Sequence, residues 1–147
     1  MRKPSAPKRP PEDDVEPVFF VDRDLGGLVV HMLREAGLTV ERFRDHFEPM
    51  APDHDWLEEC GRRGWVAVTA DKRIRYDPLA QASIVEAGTR VFVIVSNVSH
   101  PRKAEYFLDA QRAVRRRLTA EPGAFIAHVY RDGSAKVMFR QEHMTQR

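Results

Sequence analysis

The chain has 147 residues, 42% of them hydrophobic and 31% charged, which suits one folded domain with a real core and a solvated surface. No apolar run approaches the ~20 residues that span a bilayer, and the start, basic and then acidic, lacks the apolar segment of a secretory signal. The formal net charge of +2 is too small to name a polyanionic partner by itself, while the one cysteine, Cys60, excludes an intrachain disulfide and points to a cytoplasmic location.

Residues 1–17 hold five of the ten prolines and almost no large apolar side chain, the composition of a disordered tail; the folded domain is expected over 18–147. Val18-Phe19-Phe20-Val21 is a continuous apolar run, as expected of a strand buried on both faces, and Asp22 follows it directly. Leu25, Leu28, Val29, Met32 and Leu33 then recur at helical spacing until Gly37. Leu38 to Phe43 reads as a second, partly exposed strand. A polar loop with Asp45, Pro49 and Pro52 leads to a helix opening at Pro52-Asp53. Asp53 or Asp55 can cap it, Trp56, Leu57 and Cys60 lie on its inner side, and Gly61 and Gly64 end it. Trp65 to Thr69 forms a third apolar strand, with Asp71 just past its end. Pro78 to Ala87 is predicted helical and stops at Gly88; Arg90 to Val95 is a fourth strand. One long helix is expected from about Pro101 to Leu118, with Phe107, Leu108, Ala110, Val114 and Leu118 inward and the arginines outward. Last come two strands, Phe125–Tyr130 and Ala135–Phe139, separated by Asp132-Gly133, a hairpin turn signal.

This alternation predicts an α/β fold with a mainly parallel sheet, helices on both faces and a C-terminal β-hairpin extending an edge. In open α/β sheets the ligand site lies beyond the carboxyl ends of the strands. Asp22 and Asp71 are expected there, and Asp53, at the start of the helix leading into the Asp71 strand, can face the same crevice.

Each aspartate has a plain role open to it: a strand-end cap for Asp22, a helix cap for Asp53, a turn former for Asp71. Three carboxylates brought together need compensating positive charge. A hard divalent cation such as Mg²⁺ or Mn²⁺ fits, and such an ion can activate water and stabilise charge on a phosphodiester. Lys72, Arg73 and Arg75 follow Asp71 and can either bind flanking phosphates or pair with the acids. Arg112, Arg115, Arg116 and Arg117 can bind RNA or simply complement the carboxyl end of their helix. The six histidines show no paired ligand spacing, so zinc is not expected. Gly26-Gly27 lacks the lysine and spacing of a phosphate loop, and no nucleophile elbow is present. Trp56 and Trp65 read as core residues.

Three blocks resemble the signatures of compact PIN-like domains: Val21-Asp22-Arg23-Asp24-Leu25, Pro52-Asp53-His54-Asp55-Trp56, and Gly61 through Arg75. That group includes VapC-type toxins and the Mut7-C and DUF5615-like families. The resemblance covers residues 18–96. It implies a Mg²⁺- or Mn²⁺-dependent ribonuclease, RNA as substrate, and a toxin neutralised by a partner antitoxin protein; a homodimer is left open. Carried over by motif, Asp22, Asp53 and Asp71 would be the catalytic and metal-binding carboxylates, with Asp24 and Asp55 as further ligands. Two positions depart from the larger pattern: the helix-start acid is usually Glu, and the place of a fourth acid beyond the next strand holds Ser96 and Asn97. Two other classes stay open, a non-catalytic PIN-like module that binds RNA or protein, and a receiver-like phosphoacceptor domain. The second asks for a lysine after the fifth strand, and no apolar strand here is followed by a suitable one.

Overall fold

The computed structural model describes residues 16–141, so the expected tail lies outside the described residues except for its last two positions. One six-stranded sheet runs in the order β2-β1-β3-β4-β5-β6. Its strands are β1 (Val18–Val21), β2 (Thr39–Arg42), β3 (Val66–Thr69), β4 (Arg90–Ile94), β5 (Phe125–Val129) and β6 (Ala135–Arg140). All neighbours are parallel except β5 and β6, the hairpin that forms one edge. Its turn uses Asp132, whose carboxylate accepts from the Ser134 N–H, and Gly133 at φ 88°. The mainly parallel α/β sheet and the edge hairpin are as the sequence predicts.

The helices are α1 (Gly26–Glu35), α2 (Asp53–Arg63), α3 (Pro78–Ala87), α4 (His100–Asp109) and α5 (Gln111–Ala120). They cover both faces because the strands alternate apolar residues to both. Phe19, Val21, Val66, Val68, Phe92 and Ile94 pack with α1, α4 and α5. Phe20, Ala67, Val91 and Val93 pack on the other side with α2 and α3. Between Phe19 and Phe107 the rings meet edge-on at 5.3 Å, and Phe20 stacks on Trp65 at 5.5 Å. Among the described residues no helix is long and apolar enough to cross a membrane.

The chain steps from β1 outward to β2 through α1, then returns past β1 to β3 through α2 on the opposite face. The direction of winding therefore reverses between β1 and β3, and a crevice opens at their carboxyl ends. From β3 the chain continues in one direction to β4 and β5. It passes through α3 on the α2 face, then through α4 and α5 on the α1 face, so the last crossover has the opposite hand to the others. On the α2 face this leaves β5 and β6 without a crossover helix.

Three local expectations are corrected. The long helix is two, broken at Ala110 (φ −92°, ψ 7°). No Gly or Pro causes the break; Ala110 is fully buried in the α1-face core, and the Phe107 carbonyl accepts both the Ala110 N–H and the Gln111 side-chain amide. Gly61 lies inside α2, which ends at Gly64 in the left-handed conformation, φ 74°. A methyl on Gly61 would come within 2.6 Å of the Ala87 carbonyl oxygen, so this glycine allows α2 and α3 to approach. Pro52, not an aspartate, is the N-cap of α2, and Asp53 is its first helical residue.

Candidate functional site

Because β1 and β3 are hydrogen-bonded neighbours, the residues leaving their ends come together. The Asp22 N–H donates to the Val68 carbonyl at 2.9 Å, which carries the ladder one residue past β1. Thr69, the fully buried last residue of β3, ties the first and third sequence blocks to each other. Its hydroxyl donates to Asp22 Oδ2 at 2.8 Å and accepts from the Asp71 N–H at 3.1 Å. The Ala70 N–H donates to Asp24 Oδ2 at 3.3 Å. In the sequence Thr69 reads only as part of a strand; its signal there is a hydroxyl that ends an apolar run two residues before an aspartate.

Asp22 is 4% exposed, and its Oδ1 is buried without a hydrogen-bond partner. Burial, reinforced by the Asp24 carboxylate beside it, pushes its pKa up to about 7. Asp24 is raised too, first by burial, with Asp71 adding to it against the Ala70 hydrogen bond.

The other two aspartates are answered by arginines. Asp53 Oδ1 accepts from Arg23 Nη2 at 3.2 Å and from the Trp56 indole N–H at 3.0 Å. Arg23 also donates to the carbonyls of Pro49 (3.0 Å) and Ala51 (2.8 Å), and its guanidinium lies 4.6 Å from the centre of the Phe43 ring. It thereby pins the loop before α2 and sets where that helix starts. Asp71 caps the 3₁₀ turn Lys72–Tyr76, accepting the Arg73 N–H at 3.0 Å, and takes the Arg73 side chain at 2.9 Å and 3.1 Å. The Arg73 guanidinium holds the Asp71 carboxyl below its ordinary value.

Asp22, Asp24, Asp53 and Asp71, with Arg23 and Arg73, line one open cleft of about 410 Å³. Among the described residues no three His, Cys, Asp or Glu side chains are drawn together tightly enough to form a ready ligand set. The donor chemistry nonetheless fits a hard cation: four carboxylates share the cleft, and Asp22 Oδ1 has no other partner. For Asp53 and Asp71 to join, each would turn from its arginine.

The remaining sequence candidates fall elsewhere. Asp55 does not line the cleft; it is exposed and pairs with His54 Nδ1 at 3.2 Å. Lys72 and Arg75 lie on the turn beyond Asp71, outside the cleft lining. Arg112 and Arg116 are exposed on α5, and Arg115 pairs at 2.9 Å with Glu16, which precedes β1. That contact puts Arg115 toward the amino ends of the strands, the side opposite the aspartates. Arg117 stands 3.8 Å from Glu121. Ser96 and Asn97, past β4, do not line the cleft either. Cys60 is buried, and burial pushes its thiol well above the ordinary value, so it offers no thiolate.

A family model described as a PIN like domain matches residues 17–96, more than half of the chain and all four cleft aspartates. The chain belongs to the PIN-like domain family. No curated protein and no solved structure matches it. The family includes nucleases. In this PIN-like domain the matched span ends just beyond β4, and α4, α5 and the β5–β6 hairpin complete the sheet outside it.

Proposed function

We propose that this PIN-like domain is a metal-dependent endoribonuclease that hydrolyses RNA phosphodiester bonds. The observation that carries the proposal is Asp22: a buried carboxyl with one oxygen unpartnered, facing a second carboxyl, at the reversal point of a parallel sheet. Such a pair stays ionised at neutral pH only against positive charge. Asp22 and Asp24 would hold Mg²⁺ or Mn²⁺, with Asp53 and Asp71 completing the oxygen set. A bound ion there supplies water activation and stabilises charge on the attacked phosphate.

The chain's own residues set up the rest. Thr69 fixes the Asp22 carboxylate and the Asp71 backbone relative to each other. Arg23, held by two carbonyls, keeps the start of α2 at the cleft. Arg73, once parted from Asp71, offers its forked donors to phosphate oxygens. A second reading, a non-catalytic module that binds RNA or protein, draws on the Arg23–Asp53 and Arg73–Asp71 pairs, which neutralise two carboxylates without an ion.

Cleavage of a panel of single-stranded and structured RNAs distinguishes the two. The expected result is cleavage with Mn²⁺ or Mg²⁺, none with EDTA, and none from Asp71→Asn, whose melting curve stays cooperative. Equal cleavage with chelator refutes the metal-dependent reading; inactivity across the panel favours the binding module.

A further inference from the structure

On the α2 face, where β5 and β6 carry no crossover helix, four basic side chains gather beside the cleft. His128, two residues after the buried Ile126 of β5, projects to this face. Lys136 is its register partner on β6, so the two share a face, and Lys136 is exposed. The turn Lys72–Tyr76 is anchored by Ile74, buried in the same core. It brings Lys72 and Arg75 near enough that their charges add to burial in lowering the His128 pKa.

Two features separate this group from an ordinary solvated surface. Arg23, Arg62, Arg63 and Arg73 all sit in ion pairs, whereas Lys72, Arg75 and Lys136 are in none among the described residues. His128 is 9% exposed, and its Nε2 is buried without a hydrogen-bond partner. Buried polar atoms are nearly always satisfied. A neutral imidazole donates from whichever ring nitrogen carries its proton, and the unpaired cations beside it call for acceptor oxygens. Next to them the Tyr76 ring is 70% exposed, with the Arg75 guanidinium 5.0 Å from its centre. An exposed aromatic among cations is the arrangement on which single-stranded nucleic acids stack a base while their phosphates are held. An acidic protein segment would use the charges and leave the ring idle.

We propose that Lys72, Arg75, His128 and Lys136 form a metal-independent subsite for the phosphates of a single-stranded RNA, with Tyr76 stacking one of its bases. Lys72 directly follows Asp71, so the subsite begins where the aspartate cleft ends. This rests on the nuclease reading and names how that site takes its substrate. His128 and Lys136 lie beyond the residues matched by the family model.

Fluorescence anisotropy with a short labelled single-stranded RNA in EDTA tests it, because nothing is then cleaved and no ion bridges. The wild type is expected to bind. The Lys72→Gln/Arg75→Gln/Lys136→Gln variant should lose about two units from the slope of log K against log salt, at ~0.7 per phosphate contact on single strands. Tyr76→Ala should weaken binding roughly tenfold and leave the slope alone. Melting curves confirm that each variant is folded. No binding by the wild type, or an unchanged slope in the triple variant, overturns the proposal. So does a slope carried instead by Arg112→Gln/Arg116→Gln, or equal competition by a poly-glutamate peptide, which would mark the patch as a protein contact. Failure of the nuclease reading appears separately, as absence of Mn²⁺-dependent cleavage while chelated binding keeps its slope.

Discussion

Replacing Asp22 by Asn should stabilise the metal-free protein, and only above acidic pH. Its carboxyl titrates near 7 in the fold against 3.8 in the unfolded chain. The native state therefore holds the proton more tightly, and ionisation works against folding. This cost is absent below about pH 4, grows as pH rises from there to about 7, and is complete above. At ~1.4 kcal/mol per unit it amounts to about 4 kcal/mol as an upper bound. Asn keeps an acceptor for the Thr69 hydroxyl, removes the charge facing Asp24 and places donors where Oδ1 now has no partner. If half the bound is recovered, the melting temperature at pH 8 in EDTA should rise by roughly 5 °C, and the gain should vanish near pH 4. Added Mn²⁺ should stabilise the wild type by ~2.7 kcal/mol at a hundredfold excess over its dissociation constant, and the variant much less. Thermal melts across pH, each with EDTA and with Mn²⁺, read all of this. A variant that melts lower than wild type at pH 8, or a difference independent of pH, refutes the reasoning and leaves Asp22 as a structural cap.

Gly61→Ala should cost about 1–3 kcal/mol by overpacking the α2–α3 contact, where Thr89 also donates to the Leu57 carbonyl at 2.8 Å. Urea titration should show a lower midpoint, and an unchanged one would mean that the helices part at no cost. Asp53→Asn should remove most Mn²⁺-dependent cleavage and Mn²⁺-induced stabilisation, while Asp55→Asn retains both; the reverse pattern would move the middle ligand to Asp55.

The strands announced themselves because a parallel sheet buried on both faces needs unbroken apolar runs, and Val18–Val21 is one. That Asp22 and Asp71 stand beyond strand ends followed directly. Their adjacency did not, since it depends on β3 returning to pair with β1, which no local pattern encodes. The motif position favours Asp53 over Asp55, and the fold supplies a geometric reason. Two residues apart on a helix means about 200° of rotation, so the cleft admits one, and which one depends on where the helix starts. Pro52 as N-cap and Arg23 on the preceding loop set that start. The arginines of α5 were visible as charge, but their direction follows from Ala110, whose burial bends the chain without a Gly or Pro to mark it. His128 carries its own signal, as the one polar residue inside the apolar run of β5.

The cleft's charges also say in what order it would yield to a cation. Four carboxylates face two guanidiniums, and a proton held at the Asp22–Asp24 pair offsets half of the remaining negative charge. Cation binding there must expel that proton, so affinity should rise with pH through about 7. The arginine pairs differ in how firmly they resist. Arg23 is held by two carbonyls and a ring besides Asp53, so it stays while Asp53 turns away. Arg73 is 90% exposed, and its pair with Asp71 is worth little against solvent. Asp71 is therefore the carboxylate that changes partner at least cost. Its departure leaves Arg73 unpaired beside Lys72 and Arg75, which extends the positive surface to the edge of the cleft as the metal enters. Metal binding and phosphate binding would thus favour each other through one residue, and Arg73→Gln should uncouple them, weakening the effect of Mn²⁺ on RNA affinity while Mn²⁺ itself binds no more weakly, because Asp71 then has no guanidinium to leave.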